Sequence, residues 1–428
     1  MATVAANVAA DRPDRRTRAA SATLLWNIYD VGLAALVILV STDTFNRFGI
    51  GSPVWGVCYA LAAVRLLSAP RFLAWTFRAN LTQFAYPAAC LASSVWSKAP
   101  AWSFGSALQL FATILIALVV GARTRMMTLM ILMFGVLVLP LALSLLNWRT
   151  GVFGEVYAGS GGLLGIYTQK NMLGQNAMFV ILAGVALLLV GVWRSLFACL
   201  VLAVGMGIAA VSLKLSQSVT PMLMLPMSIA LLLLLCIRRL DARLVVLAGI
   251  VLFLALAAGP IYLVVAGVNP IDEVLGAFGK NTTLTGRTRI WSFGLQVLQD
   301  YWSLGVGFLA FWRSAEFSGY ATIIQAIGGE NVRAFHNFIL EIWIGTGIPG
   351  VVTMLILLWA ALWRTWTAYR ATYSVSAAFA FVVVVSAILL CLPGTGLYRQ
   401  HESLLMFVVM FGASAAASLR PGRRAGQA

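Results

Sequence analysis

Apolar residues run along this chain in long unbroken stretches, separated by short polar or glycine-rich breaks. The stretches lie near 24–41, 54–69, 81–95, 102–121, 125–146, 172–193, 195–213, 219–237, 243–266, 337–363, 374–392 and 403–419. A helix rising 1.5 Å per residue needs roughly 20 residues to cross the hydrocarbon core, and many of these runs reach or approach that length. They are continuous rather than alternating, which excludes a β-barrel. The pattern predicts an all-α polytopic membrane protein of about 12 transmembrane helices, with some short spans as candidate re-entrant segments. One long polar interruption, residues 267–336, breaks the series and runs directly into the apolar helix at 337.

The organisation that follows is a basic, disorder-prone tail at 1–20 and a single membrane domain at 21–419. The 267–336 loop belongs to that domain, and a second short tail follows at 420–428. The tail segment Asp11-Arg12-Pro13-Asp14-Arg15-Arg16-Thr17-Arg18 precedes an apolar run as a signal peptide's first region would. Further spans follow, and no convincing cleavage site is visible, so the run reads as a retained first helix.

Twelve spans place both termini on one side, and the cations indicate which. With the termini inside, 18 of the 29 Lys and Arg residues fall on inner segments and 11 on outer ones. Five of the outer cations (Lys280, Arg287, Arg289, Arg313 and Arg333) belong to the long loop, which the positive-inside rule largely ignores. The termini are therefore expected in the cytoplasm and the long loop outside it.

Composition agrees with this reading. Apolar residues make up 61% of the chain and charged residues 10%, too little charge for the surface of a soluble 428-residue globule. The net charge of +16 suggests nucleic acid at first sight, but its placement fits topology-setting cations better, and no nucleic-acid partner is expected. The five cysteines lie in or beside apolar runs without a CxxC pair, which indicates neither a disulfide framework nor a metal site.

Four polar stretches can carry chemistry. Lys170-Asn171 opens the sixth span and can offer an ammonium and an amide to a phosphate or a sugar hydroxyl, or serve only as an interfacial anchor and cap. Lys214-Leu215-Ser216-Gln217-Ser218 is a polar knot between two spans, where Ser218 is a candidate for binding or for plain helix capping. Thr285-Gly286-Arg287-Thr288-Arg289-Ile290-Trp291 brings guanidinium forks that match phosphate oxygens, beside a glycine that permits close backbone approach. It is followed by Gly305-Val306-Gly307-Phe308 and by Phe311-Trp312-Arg313. Finally, Phe335-His336-Asn337-Phe338-Ile339-Leu340-Glu341 runs into Gly345-Thr346-Gly347-Ile348-Pro349-Gly350. His336 has the side chain suited to proton abstraction near neutral pH, or is a polar cap at the interface. His401 is the only other imidazole, and no acidic cluster with ligand spacing accompanies His336, so no metal or other cofactor is expected.

In this order the four stretches resemble the O-antigen ligase and polysaccharide polymerase superfamily (WaaL- and Wzy-like proteins). That family's pattern is a Lys-Asn-x-x-Gly, a Ser-rich turn, a Gly-Arg-x-x-x-Trp and a His-Asn-x-x-Leu ahead of Gly-x-x-Gly. Here it reads Lys170-Asn171 to Gly174, Ser216-Gln217-Ser218, Gly286-Arg287 to Trp291, and His336-Asn337 to Leu340 with Gly347 and Gly350. The serine turn and the 305–312 stretch look most like the ExoQ-type exopolysaccharide polymerases. Those proteins tend to carry a basic residue soon after the serines; this chain has Val219-Thr220-Pro221, with Lys214 upstream as the nearest substitute.

The resemblance implies a GT-C-like helical bundle in a bacterial inner membrane and metal-independent glycosyl transfer on its periplasmic face. The implied substrate is an undecaprenyl-diphosphate-linked oligosaccharide, and a flippase and chain-length regulator are implied partners. It gives His336 the acceptor's proton, and it gives the leaving diphosphate's charge to Arg287 with Lys170 and Arg289 or Lys214. Asn337 and Glu341 would orient the imidazole or sugar hydroxyls, although Glu341 serves equally as a buried helix polar group. Trp291, Tyr301, Trp302, Phe311 and Trp312 suit sugar faces, against interfacial packing as the alternative.

Two other functions compete. An O-antigen ligase would pass the same kind of glycan to lipid A-core. A secondary transporter of anionic solutes would need carboxylates and broken helices near the midplane. Asp30 is the main early acid within a span, and the other candidate residues cluster at one interface instead.

Overall fold

The computed structural model describes residues 15–159, 161–191, 195–237, 287–328 and 334–420. Among these the chain is helical, with one isolated bridge between Tyr157 and Leu163. In chain order the helices are α1 (Arg15–Ser41), α2 (Gly51–Leu67), α3 (Pro70–Ala79), α4 (Leu81–Ala92), α5 (Pro100–Arg123), α6 (Met126–Thr150) and α7 (Lys170–Val190). There follow α8 (Leu196–Ser216), α9 (Val219–Leu235), α10 (Arg287–Tyr301), α11 (Ser318–Gly328), α12 (Phe338–Thr372), α13 (Val375–Cys391) and α14 (Ser403–Ser418).

Six described helices are long and apolar enough to cross a membrane: α1, α5, α6, α7, α8 and α12. A seventh is counted if α2 and α3, bent by 102°, are one broken span, and α9, α13 and α14 are shorter apolar helices. Apart from α3, which falls between the runs 54–69 and 81–95, each of these matches a predicted run, and the tally among the described residues is below twelve. The run at 81–95 yields only the 12-residue α4, followed by a 3₁₀ turn, and the run at 243–266 lies outside the described residues. The tails 1–14 and 421–428, Lys280 and Arg333 lie outside them as well.

The long interruption differs from the expected loop. Its described parts hold two helices, α10 and α11, because α10 has its own apolar face. Ile290, Val297 and Leu298 are buried at helical spacing against Phe311, Phe317, Ile324 and Phe335. The face also reaches Leu340 and Ile344 of α12, so this segment forms a satellite core seated on the bundle. The remainder of the interruption, residues 267–286 and 329–333, lies outside the described residues.

At one end of the bundle Asp30 of α1 is buried between two arginines, with Arg65 Nε at 2.7 Å and Arg123 Nε at 3.1 Å. Nearby, Arg364 donates to Asn80 Oδ1 at 2.7 Å and to the Ala79 carbonyl at 2.8 Å. The helix ends carrying the candidate motifs gather at the opposite end.

Candidate functional site

The site is built on a break in α12. Pro349 has no N–H for the carbonyl of Gly345, and Gly347 leaves the helical conformation with φ 63°. Ile348 donates instead to the Ser303 carbonyl at 3.0 Å, which frees the Ile344 carbonyl too. The glycine-rich strap supplies the missing donors. Val306 N–H reaches Ile344 O and Gly307 N–H reaches Gly345 O, both at 2.8 Å. A Cβ on Gly347 would lie 2.2 Å from the Ser303 carbonyl, so only glycine fits there. The strap is held on its other side by the α4–α5 turn. Lys98 N–H donates to Val306 O at 2.9 Å, Phe308 N–H to Ser93 Oγ at 3.0 Å, and Ser103 Oγ to Phe308 O at 2.8 Å.

His336 stands at the start of α12 in a left-handed conformation, φ 54°. Both of its chain neighbours are fixed. Asn337 is the N-cap of α12, its Oδ1 accepting from Ile339 N–H at 3.0 Å and Leu340 N–H at 3.1 Å. Phe335 N–H donates to Oε1 of the buried Glu341 at 2.5 Å, and Trp291 Nε1–H donates to the Phe335 carbonyl at 2.9 Å. Trp312 Nε1–H adds a longer contact to Glu341 Oε2 at 3.4 Å. The predicted Gly-Arg-x-x-x-Trp stretch therefore acts on the chain beside His336 through its tryptophan.

The first two motifs also meet. Ser218 Oγ donates to Asn171 Oδ1 at 2.8 Å, joining the first turn of α7 to the N-cap of α9. Gly174 makes the approach possible, since a Cβ there would sit 2.9 Å from both Ser216 Oγ and Ser218 Cβ.

These ends enclose a polar cavity of about 360 Å³. Asn171, Ser218 and His336 line it together. Asp43, after α1, lines it as well and holds Thr168 through its N–H at 2.9 Å and its Oγ1 at 2.5 Å. The connection from Pro393 to Glu402 folds into the bundle end to form another wall. There Tyr398 is buried and its carbonyl accepts from Tyr86 Oη at 2.6 Å. His401 stacks on Trp55 with centroids 4.2 Å apart, and its Nε2 lies 2.5 Å from Tyr59 Oη. Burial, reinforced by neighbouring Arg399, pushes the His401 imidazole down to about 4. Arg399 pairs with Glu402, whose charge holds the guanidinium firmly protonated.

The other predicted residues lie elsewhere. Lys170 Nζ donates to the Gly161 carbonyl at 2.8 Å and is not on the cavity wall. Lys214 is exposed in the last turn of α8, and Arg289 is exposed on α10. Asn337 and Glu341 are occupied in shaping the backbone at His336 rather than facing the cavity. Arg287 is the first residue of α10, and its side chain lies outside the described residues. The aromatics proposed for sugar faces are packed instead. Phe311 stacks on Phe317, Trp312 and Phe335 lie 5.1 Å apart, and Tyr301 Oη donates to Glu316 at 2.5 Å. Trp302 is exposed and off the cavity, while Trp102 is the indole on its wall.

Sequence reasoning missed Asp43, Trp102 and the Arg399–Glu402 wall. The signal for the last was present: Arg399-Gln400-His401-Glu402 is a dense polar run between two apolar ones.

The site thus belongs to a multi-pass helical membrane protein with a polar cavity at one end of its bundle, fronted by a helical insertion. Residues 204–355, from α8 through the break in α12, match the family described as Wzy_C, O-Antigen ligase. Over 349 residues the chain is 28% identical to Exopolysaccharide production protein ExoQ of Rhizobium meliloti (strain 1021), covering 78% of this chain and 75% of that protein. The family match thus covers 204–355, and the similarity to the exopolysaccharide production protein extends along most of the chain.

Proposed function

We propose that this protein is a glycosyltransferase that polymerises undecaprenyl-diphosphate-linked oligosaccharide repeat units in exopolysaccharide biosynthesis, at the periplasmic face of a bacterial inner membrane. The observation that carries this reading is the convergence of His336, Asn171 and Ser218, from three separate motifs, on one polar cavity. The similarity to an exopolysaccharide production protein favours polymer over lipid A-core as the destination of the glycan. The bias of cations toward the other end of the bundle supports cytoplasmic termini and a periplasmic cavity.

In the reaction the acceptor hydroxyl attacks the anomeric carbon of the donor, and the bond from that carbon to the diphosphate oxygen breaks. His336 takes the hydroxyl proton, and the leaving oxygen keeps the electron pair. The diphosphate gains negative charge as this occurs, so cations already in place lower the barrier without a metal. Arg287 is our candidate for this role; it opens α10, the helix that Trp291 ties to the backbone at Phe335. A flippase delivering the repeat units and a chain-length regulator are the expected partners.

The test compares His336→Ala and Arg287→Ala with the wild type in a strain lacking the gene, at matched membrane levels. Loss of high-molecular-mass polysaccharide with single repeats accumulating on the lipid is the expected result. Glycan built to length on its carrier but absent from lipid A-core would instead identify a ligase. Unchanged polymer and lipid A glycan in both variants would overturn the transferase reading and return the transporter.

A further inference from the structure

We propose that Arg399 is a second cation, beside Arg287, that binds the diphosphate of the lipid-linked substrate in this cavity. The inference rests on the lipid-diphosphate reading above and adds a residue outside the four motifs that suggested it.

Among the described residues, Arg399 is the one Lys or Arg on the cavity wall. It shares that wall with His336, Asn171 and Ser218. Its pairing with Glu402 is made through Nε. A guanidinium carries five N–H donors in a planar fork, so engaging one carboxylate leaves a face for phosphate oxygens.

The chain around Arg399 is held on both sides. Tyr86 fixes the carbonyl of Tyr398, Gln400 donates to Gln109 Oε1 at 3.2 Å, and His401 is stacked on Trp55. A cation held this way needs little rearrangement when charge develops on the leaving group.

The rest of the wall has the same polarity. Gln169, Ser218 and Glu402 line the cavity as N-caps of α7, α9 and α14, and none of the three makes a side-chain capping hydrogen bond. The N-terminal ends of three helices thus meet the cavity wall, and the positive ends of their dipoles favour an anion. Glu402 orients the guanidinium and partly offsets its charge, which suits a group that must release its product.

The experiment uses the full chain in detergent, titrated with undecaprenyl diphosphate, undecaprenol and phosphatidylglycerol, for wild type, Arg399→Gln, Arg399→Lys and Glu402→Gln. Arg399→Gln should weaken undecaprenyl diphosphate binding at least tenfold while leaving undecaprenol and phosphatidylglycerol unchanged, and Arg399→Lys should recover part of the loss. Glu402→Gln, which keeps an acceptor oxygen for Nε, should weaken diphosphate binding less than Arg399→Gln does. Melting temperatures separate this from a structural ion pair, which would make Arg399→Gln and Glu402→Gln equally destabilising and equally poor at binding; that outcome overturns the proposal. Wild-type diphosphate affinity in Arg399→Gln overturns it while leaving the proposed function standing. An equal loss for phosphatidylglycerol overturns it in favour of a general lipid-headgroup contact. Absence of diphosphate binding in the wild type removes the proposed function and this inference together.

Discussion

The indole N–H of Trp291 donates to the carbonyl of Phe335 at 2.9 Å, so a helix of the long insertion is fastened to the residue immediately before His336. The amide of the same Phe335 is held by buried Glu341. Both polar backbone groups of this neighbour are thereby fixed, and His336 beside it adopts a left-handed conformation.

Removing one of these ties should misplace the imidazole without removing it. Trp291→Phe loses a hydrogen bond with a net contribution of about 1 kcal/mol to stability, and should lower polymer synthesis at matched membrane levels. Glu341→Ala leaves the buried Phe335 amide without its acceptor and should cost about 1–3 kcal/mol of stability with a larger loss of polymer. Glu341→Gln keeps an acceptor oxygen and should fall between the two. Polymer yield and melting temperature of each purified variant check the ordering.

Gly174 should tolerate no side chain. The Cβ of Gly174→Ala would press on Ser216 Oγ and Ser218 Cβ at 2.9 Å, driving α7 from the α8–α9 turn. Overpacking of this kind costs about 1–3 kcal/mol, and it parts Asn171 from Ser218. A lowered melting temperature together with lost polymer is expected, whereas Ser218→Ala should lower polymer with little effect on melting.

His401 should make stability depend on pH in a defined direction. Its folded-state imidazole titrates near 4, below the ordinary value of 6.5, because burial and Arg399 disfavour its charged form. Between those values the unfolded chain binds the proton and the folded chain does not, so stability rises with pH across that window and falls as pH drops. His401→Gln should flatten this slope in melting temperatures measured from pH 4.5 to pH 7.

At the opposite end, Asp30→Ala should act through the frame alone. It strips the partner carboxylate from Arg65, which is only 4% exposed, and from Arg123. An uncompensated buried charge costs about 3–5 kcal/mol. Membrane levels of the protein should fall, while polymer made per molecule stays near wild type, as read by quantitative immunoblot against polysaccharide output.

The sequence allowed the helices to be located because their apolar runs are long, and it ordered the motifs because their residue types are unusual in such a chain. Asn171, Ser218 and His336 were legible for that reason. Pairwise geometry was not. Nothing in the sequence says that Asn337 spends its oxygen on two amides of its own helix, or that Trp291 reaches Phe335. Lys170 and Lys214 have the right charge at helix ends, but direction and distance decide whether a charge faces a cavity. Arg399 and Asp43 were hidden by the opposite effect, since each sits in a connection that composition marks only as polar. The insertion looked like a loop because α10 buries a narrow stripe, too sparse to stand out beside the bilayer-length runs.

The cavity wall includes Ser41 at the end of the first described helix and Glu402 just before α14, with contributions from near residues 170, 218 and 336 between them. During synthesis no early portion of the chain can hold a finished site, because its last wall leaves the ribosome only after α13. A premature stop in that region would leave most of the described helices able to insert yet yield a cavity missing one side. The order of translation thus closes the cavity only after α13 has been made.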